Sequence, residues 1–405
     1  MIAALAWRNI WRQPIRTTLS LIGMAFTAML LVFMVSFQFG AYDTMKSSML
    51  RISDGFGQIQ PEGYKDDPDI SDTIDDPDSI LAKLAEVRGV SAAAPRSMGF
   101  VLLANGERSF AAAVTGINPD REHGVSKISE MVETGRPLQA GDDAAIVLGD
   151  GLARNLRLEI GDQVTMLGSG LDGSVAADVL TLVGIFKSGV PEVDRQIARM
   201  PIDRFSDAFL MEGAVNVIAI SGDKLPDVEA AEGDLRKIAR DHGLVYLNWG
   251  ELAPSIKQAI ALDMSTAFLM FGTLVVVVVF VILNTLYMSV LERTREFGVL
   301  LAVGMKPRQI GSMVWMEMIF LSFLGNAIGI ALGMGLTYYF ELNGIAFEGL
   351  DEIYAQWGLP SRFYPDMTPM RVLGGPGAVV ISIALLGIIP YRRTLSLEPV
   401  KAMNS

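Results

Sequence analysis

Four long stretches of this chain carry almost no charge, and between the first two lies a region patterned like a water-soluble domain. Met264 to Leu291 runs twenty-eight residues without a charged side chain and includes five consecutive valines, Val275 to Val279. As a helix it would reach roughly 40 Å, more than the ~30 Å of bilayer hydrocarbon. A segment this apolar hides its backbone polar groups best by crossing lipid as a helix. Thr17 to Tyr42 is uncharged until Asp43, Gly311 to Phe340 is interrupted only by Glu317, and Val372 to Tyr391 is uncharged throughout. The pattern predicts four transmembrane helices, at 17–42, 264–291, 311–340 and 372–391. The first is too long for the core of a cleaved signal peptide and lacks its small-residue cleavage site, so it reads as an uncleaved anchor.

Residues 43–263 alternate on shorter periods and read as mixed α/β. Asp78-Ser79 opens the amphipathic run SILAKLAEV, a capped helix. Asn105-Gly106 between two apolar runs predicts a hairpin. Residues 144–149 read as a buried strand leading into a helix at 150–157. Strands are expected at 163–167, 178–186 and 215–220, and one charged helix at 228–242. The stretch 61–77, rich in Asp and Pro, reads as a loop. Gly168, Gly170 and Gly173 have the spacing of a dinucleotide fingerprint, but a strand-like run follows where that motif needs a helix. They read as a hairpin turn.

The flanks orient the spans. Residues 1–16 hold Arg8, Arg12 and Arg16; residues 292–310 hold Arg293, Arg295, Lys306 and Arg308; residues 392–405 hold Arg392, Arg393 and Lys401. These ten basic residues face three acids, Glu292, Glu296 and Glu398, a balance of +7 in a chain of net charge −12. By the positive-inside rule these three segments are cytoplasmic, and 43–263 and the 341–371 loop lie outside. Four crossings require the same partition. Before the first span, Trp7 and Trp11 join Ile2, Leu5 and Ile10, while Arg8, Arg12 and Arg16 recur every four residues. Residues 1–16 therefore read as an interfacial helix on the inner leaflet, its tryptophans at headgroup level and its arginines toward phosphates. A plain basic flank is the other reading.

Composition narrows the chemistry. The 405 residues are 51% hydrophobic and 19% charged, with mean hydropathy +0.37. The chain has no cysteine, which excludes disulfides, thiol catalysis and Cys-ligated metals. His123 and His242 are far apart, and no metal site is expected. The acidic balance argues against nucleic acid. No phosphate-binding loop, G-x-S-x-G or H-E-x-x-H occurs. Acidic pairs such as Asp66-Asp67, Asp75-Asp76 and Asp142-Asp143 sit in polar stretches and read as solvated turns.

Residues 292–310, ERTREFGVLLAVGMKPRQI, fit a short amphipathic helix between two spans. Phe297, Leu300, Leu301 and Gly304 fall on one face at helical spacing, and Glu292 and Arg295 stand close enough to pair. Gly298 and Gly304 would let another backbone approach. Such an element suits a groove on a cytosolic partner, and on spacing alone an ordinary solvated connection fits equally. Glu317 is expected to snorkel or to pair with a loop cation such as Arg308; a role in transmission is the alternative.

This segment resembles the signature loop of the FtsX-like permeases, the MacB or type VII ABC transporter superfamily. PYRRTLSLEPVKAMNS (390–405) resembles that family's closing pattern, and VLGDGLARNLRLEIGDQVTML (147–167) and VGIFKSG (183–189) resemble its periplasmic core domain. Leu301 departs from the pattern where many relatives carry a basic residue, and Val303 is a milder change. The resemblance implies a bacterial inner-membrane protein with four spans and a large periplasmic α/β domain of the MacB type. It implies two permease copies, as homodimer or heterodimer, and a pair of cytosolic ABC ATPase subunits that bind ATP and magnesium. This chain would hold no cofactor and catalyse nothing. ATPase coupling would fall to Glu292, Arg293, Arg295, Glu296, Phe297, Gly298, Leu301 and Gly304. With no Walker motif, the ATPase is expected on a separate chain, and the layout is similar to the LolC/LolE permeases of lipoprotein release.

The expected function is mechanotransmission: ATP-driven movement releases or extrudes a lipophilic cargo, a lipoprotein first among candidates. Efflux of antimicrobial peptides or drugs with a periplasmic adaptor is an alternative, and FtsX-like control of a cell-wall hydrolase is another.

Overall fold

The computed structural model describes residues 2–347, 349, 354 and 359–395. The closing motif at 396–405 lies outside them. The chain divides into two units: Met1–Tyr42, Ile260–Ala346 and Arg362–Ser405 form one, and Asp43–Ala259 with Phe347–Ser361 form the other.

The chain opens with α1 (Ile2–Ile10) and α2 (Pro14–Leu50). Pro14 explains the break between them. The residue before a proline is pushed out of the helical region, while proline itself fits a first helical turn. The interfacial helix therefore ends at Ile10, not at residue 16. Arg8, Arg12 and Arg16 sit on α1, in the turn and on α2 in that order, rather than along one helical face. At 37 residues α2 reaches about 55 Å and outruns the bilayer core.

The α/β unit follows: β1 (Gly57–Gln60), α3 (Pro77–Leu84), β2 (Ala92–Asn105), β3 (Arg108–Ile117), α4 (Pro119–Glu122), β4 (Val132–Gly135), β5 (Ala145–Gly149), α5 (Asp150–Leu156), β6 (Gln163–Ser169), β7 (Val175–Phe186), α6 (Pro191–Gln196), β8 (Ile197–Pro201), α7 (Ile202–Phe209), β9 (Val217–Ser221), α8 (Leu225–Ala230), α9 (Glu232–Asp241), β10 (Val245–Asn248) and α10 (Trp249–Leu252). The hairpin at Asn105-Gly106 and the glycine turn between β6 and β7 fall where the sequence places them. Asp76, not Asp78 or Ser79, caps α3: its carboxylate accepts from the Ser79 N–H at 3.2 Å. The single helix expected at 228–242 is two, broken at Ala231.

The long strand β2 organises the sheet. It pairs with β9 along its first half, with β3 along its second, and with β6 near its end. Because β3 pairs β8, β8 pairs β5, β5 pairs β7 and β7 pairs β6, six strands close a ring. Closure leaves those strands without free edges. The core of the ring holds Val101, Leu103, Val114, Met166 and Leu180 with Phe205 and Phe209 of α7. The two phenylalanines stack at 4.2 Å between centroids. They fit because glycine stands where they press: a Cβ at Gly116 would come within 2.7 Å of Phe205. A second core, with Leu50, Phe56, Ile80, Leu84, Ile220, Leu235 and Tyr246, packs α3, α8 and α9 on β1, β9 and β10.

One ion cluster is buried in this unit. Glu122, fully buried, takes a bidentate pair from Arg96 at 2.7 and 3.1 Å and lies 3.0 Å from Arg199. Arg199 also donates to the Ser126 hydroxyl at 3.0 Å. Burial pulls the Arg199 guanidinium down to about 10, against the pull of Glu122, which still leaves it charged at neutral pH.

The chain returns through α11 (Pro254–Glu292), α12 (Thr294–Ala302) and α13 (Pro307–Asn343), a two-residue ribbon of β11 (Ile345–Ala346) and β12 (Arg362–Phe363), then α14 (Pro369–Leu386) and α15 (Ile388–Leu395). Four of these helices, α2, α11, α13 and the stretch Pro369–Arg392, are long and apolar enough to cross a membrane. Gly325, Gly329 and Gly333 stand four apart on α13 and admit α2: added Cβ atoms would lie 2.7 Å from Met24 at Gly325 and 2.8 Å from Val32 at Gly333. Trp315 of α13 donates to the Ala384 carbonyl of α14 at 3.0 Å.

Candidate coupling site

The short helix between the second and third spans is α12, and its attachments decide what it can do. Phe297 is fully buried and Gly298 is buried beside it. Phe297 joins a core with Met24 of α2, Val290 of α11, Met313 of α13 and Ile383 of α14. The face turned outward carries Arg295, Glu296, Val299, Ala302 and Val303, of which Val303 is 82% exposed. Phe297 and Gly298, expected among partner contacts, thus anchor the helix to its own bundle. Leu301 is half-buried. Val299, Ala302 and Val303 take the place of these residues on the open face.

Gly304 has a backbone reason to be glycine. Its φ is +102°, and a Cβ there would meet nothing within 4 Å. It is glycine because the chain leaves α12 through a backbone conformation that L side chains rarely adopt, with Met305 N–H closing onto the Leu300 carbonyl at 3.0 Å.

Glu317 is the centre of the polar contacts. Its carboxylate accepts from Asn9 of α1 at 2.6 Å and from Arg293, just before α12, at 3.1 Å. Arg293 also reaches Glu296 at 3.3 Å and stacks over the Phe297 ring at 5.3 Å. The partner is thus Arg293 and not Arg308, because the chain reversal at Arg293 brings it back against the first turns of α13. Glu292 lies 3.4 Å from Arg16 of α2 rather than pairing with Arg295. Asn9, Arg16, Arg293, Glu296 and Glu317 line a cavity of about 260 Å³ with Arg12, Gln13 and Ser20. A carboxylate near a span's end is costly in lipid and is tolerated here because two donors converge on it.

Around this cluster the membrane-interface residues fall as a group. Trp7 and Trp11 are half-exposed and meet edge to face at 6.2 Å, and Trp7 meets Phe320 of α13 at 5.9 Å. Arg8 and Arg12 are exposed. Asn9 was not legible as a site residue. The signal that could have found it is the carboxylate of Glu317, which demands a donor from a neighbouring element. Among the described residues, no group of three or more His, Asp or Glu stands close enough to hold a metal ion.

Residues 17–238, more than half of the chain, match the MacB-like periplasmic core domain. Residues 268–399 match the FtsX-like permease C-terminal region, which contains α12 and Glu317. The chain belongs to the FtsX-like, MacB-type permeases. The permease is 25% identical over 403 residues to the lipoprotein-releasing system transmembrane protein LolC of Neisseria meningitidis, covering 96% of this chain and 94% of that protein. It is 25% identical to an uncharacterized ABC transporter permease of Methanocaldococcus jannaschii, covering 84% of each. Against the macrolide export ATP-binding/permease protein MacB of Wolinella succinogenes, 24% identity covers 46% of the chain and 27% of that protein. The permease is therefore a membrane protein with a periplasmic domain, of the ABC transporter class.

Proposed function

We propose that the permease transmits the stroke of a separate cytosolic ABC ATPase pair to its periplasmic domain and so releases or extrudes a lipophilic cargo. The observation that carries this reading is the Glu317 cluster. It ties the lead-in to α12, at Arg293, to α13 and, through Asn9, to α1. A push on the open face of α12 is then delivered to a span and to the N-terminal helix together. Helices α2 and α11 run unbroken over 37 and 39 residues. In this reading α12 and both termini are cytoplasmic, as the basic flanks favour. The permease works as a dimer of like or paired chains, and ATP and magnesium stay on the ATPase.

The cargo is taken to be a lipoprotein, supported by likeness to LolC along nearly the full length of both chains. Likeness to MacB over less than half of this chain supports efflux of drugs or peptides as the second reading. Purified permease and its ATPase in nanodiscs, offered a triacylated lipoprotein or a macrolide, separate the two by which cargo stimulates hydrolysis.

The transmission itself is tested by charge exchange. Arg293→Glu and Glu317→Arg singly should lower cargo released per ATP, losing about 0.5–2 kcal/mol of coupling with hydrolysis retained. The double exchange should recover part of it. Full coupling in both single variants would refute the role of the cluster.

A further inference from the structure

The outer face of the closed ring departs from what a solvated strand surface requires. An antiparallel sheet with one wet face alternates apolar-in and polar-out. Here Val101 and Leu103 of β2 point into the core, while Phe100 and Leu102 point outward and are also apolar. Register sets Leu102 beside Ala111 of β3 and Leu167 of β6, Leu167 beside Ala177 of β7, and Thr165 beside Val179. Phe100 is 69% exposed and Val175 78%. The outward positions of β2 from Met98, of β3 from Ser109, of β6 and of β7 to Thr181 include no charged residue. Contiguous exposed apolar surface of this kind marks an interaction site.

The same face runs without interruption into a polar cavity of about 390 Å³. Phe100, Ala113 and Ser169 line both. Its charged lining is Arg96, Arg199, Lys65, Asp54 and Asp69. Arg96 is committed to Glu122 and to the Ser53 carbonyl. The Nε of the buried Arg199 has no hydrogen-bond partner. Among the described residues the Asp54 carboxylate also has neither a hydrogen bond nor an ion pair. Burial pushes that carboxyl up, against Arg96, Lys65 and Arg199. Lys65 donates one hydrogen bond to the Glu251 carbonyl and keeps two further donors. The cavity thus sets an unpartnered guanidinium N–H of Arg199 and an unpartnered carboxylate of Asp54 in one lining, beside an apolar platform.

We propose that this face binds one zwitterionic acyl amphiphile of the phosphoethanolamine type, its chain on the platform of Phe100, Leu102, Leu167 and Val179, its phosphate toward Arg199 and Lys65, and its amine toward Asp54. The inference deepens the proposed function and rests on its reading of the cargo as lipophilic. It gives a lipid a place in the periplasmic domain. The two oppositely charged groups of the cavity select a head that carries both signs.

The full-length permease in amphipol suits the test, because its lack of cysteine permits a single reporter. Val175→Cys carrying bimane reads titration with lauroyl lysophosphatidylethanolamine or lysophosphatidylglycerol. Saturable binding of the ethanolamine lipid is expected. Leu102→Asp and Leu167→Asp in that background should weaken it at least tenfold with an unchanged melting transition, and Val179→Asp replaces either if it fails to fold. Asp54→Asn should reduce the preference for ethanolamine over glycerol heads several-fold. Equal affinity in the platform variants would overturn the site, and an unchanged head preference in Asp54→Asn would overturn the assignment of the head. Efficient cross-linking of Val175→Cys to its own copy, insensitive to lipid, would show the face to be a copy–copy interface instead. Failure here leaves the charge-exchange result standing. Failure of the charge exchange leaves lipid binding standing.

Discussion

Glu317 and Asp54 are both acids set among packed elements, and their partners separate them. Glu317 has Asn9 and Arg293 within hydrogen-bond distance, so its carboxyl group is held in place and can join elements together. Asp54 has only longer-range attraction from Arg96, Lys65 and Arg199, and burial raises its pKa. The sign of the consequence follows. A carboxyl raised in the folded state costs stability when ionised, so the cost is present above the folded pKa and vanishes as pH falls below the unfolded one. Asp54→Asn should stabilise the permease by on the order of 1 kcal/mol at neutral pH. The gain should shrink toward pH 4, read as melting of the full chain in amphipol across pH. Glu317 was legible as an anomaly because one acid stood in an apolar run. Asp54 was not, since an acid before Gly55 in a polar stretch has no signal of burial. Nor was Arg199 legible: the run Ile197–Pro201 holds only five residues with a cation in the middle, and only its place between β3 and β5 makes it a central strand.

Among the elements, α12 is the one whose faces matter most. The periodicity of Phe297, Leu300 and Leu301 located an apolar stripe correctly but could not say what it faces. The bundle takes that stripe, and Val299, Ala302 and Val303 are left exposed. Val303→Asp should therefore weaken co-purification of the ATPase and leave the permease's own melting within about 0.5 kcal/mol, as surface changes do. Phe297→Ala should instead cost about 3–5 kcal/mol of the permease's own stability. The α2–α13 seam is a second case. Small residues four apart are a sequence signal for close helix packing in lipid, and Gly325, Gly329 and Gly333 carry it. Gly329→Leu places a large side chain against Ala25 and Ala28. It should cost at least about 1–3 kcal/mol by overpacking, read as loss of monodisperse permease in detergent.

For the whole molecule, the partition of charge makes a prediction that requires no contact to be known. The three segments with ten basic residues are assigned inside, and 43–263, which carries much of the acid, outside. Single cysteines at Val303 and Val175, in a chain with none of its own, should react with a membrane-impermeant maleimide from opposite sides of sealed vesicles. Labelling of both from one side would overturn the topology.

By itself, the sequence marked the four long apolar helices through their uncharged length and the hairpins through Asn-Gly and glycine clusters, and its basic flanks supply the expected sense of the spans. These are local properties, and their free energies are paid within a few residues. Tertiary structure alone decided the closure of six strands into a ring, the convergence of Asn9 and Arg293 on Glu317, and the meeting of an apolar sheet face with an ionic cavity. Each joins residues far apart in sequence. No local preference encodes such a meeting, because it comes into being only when the chain has folded back on itself.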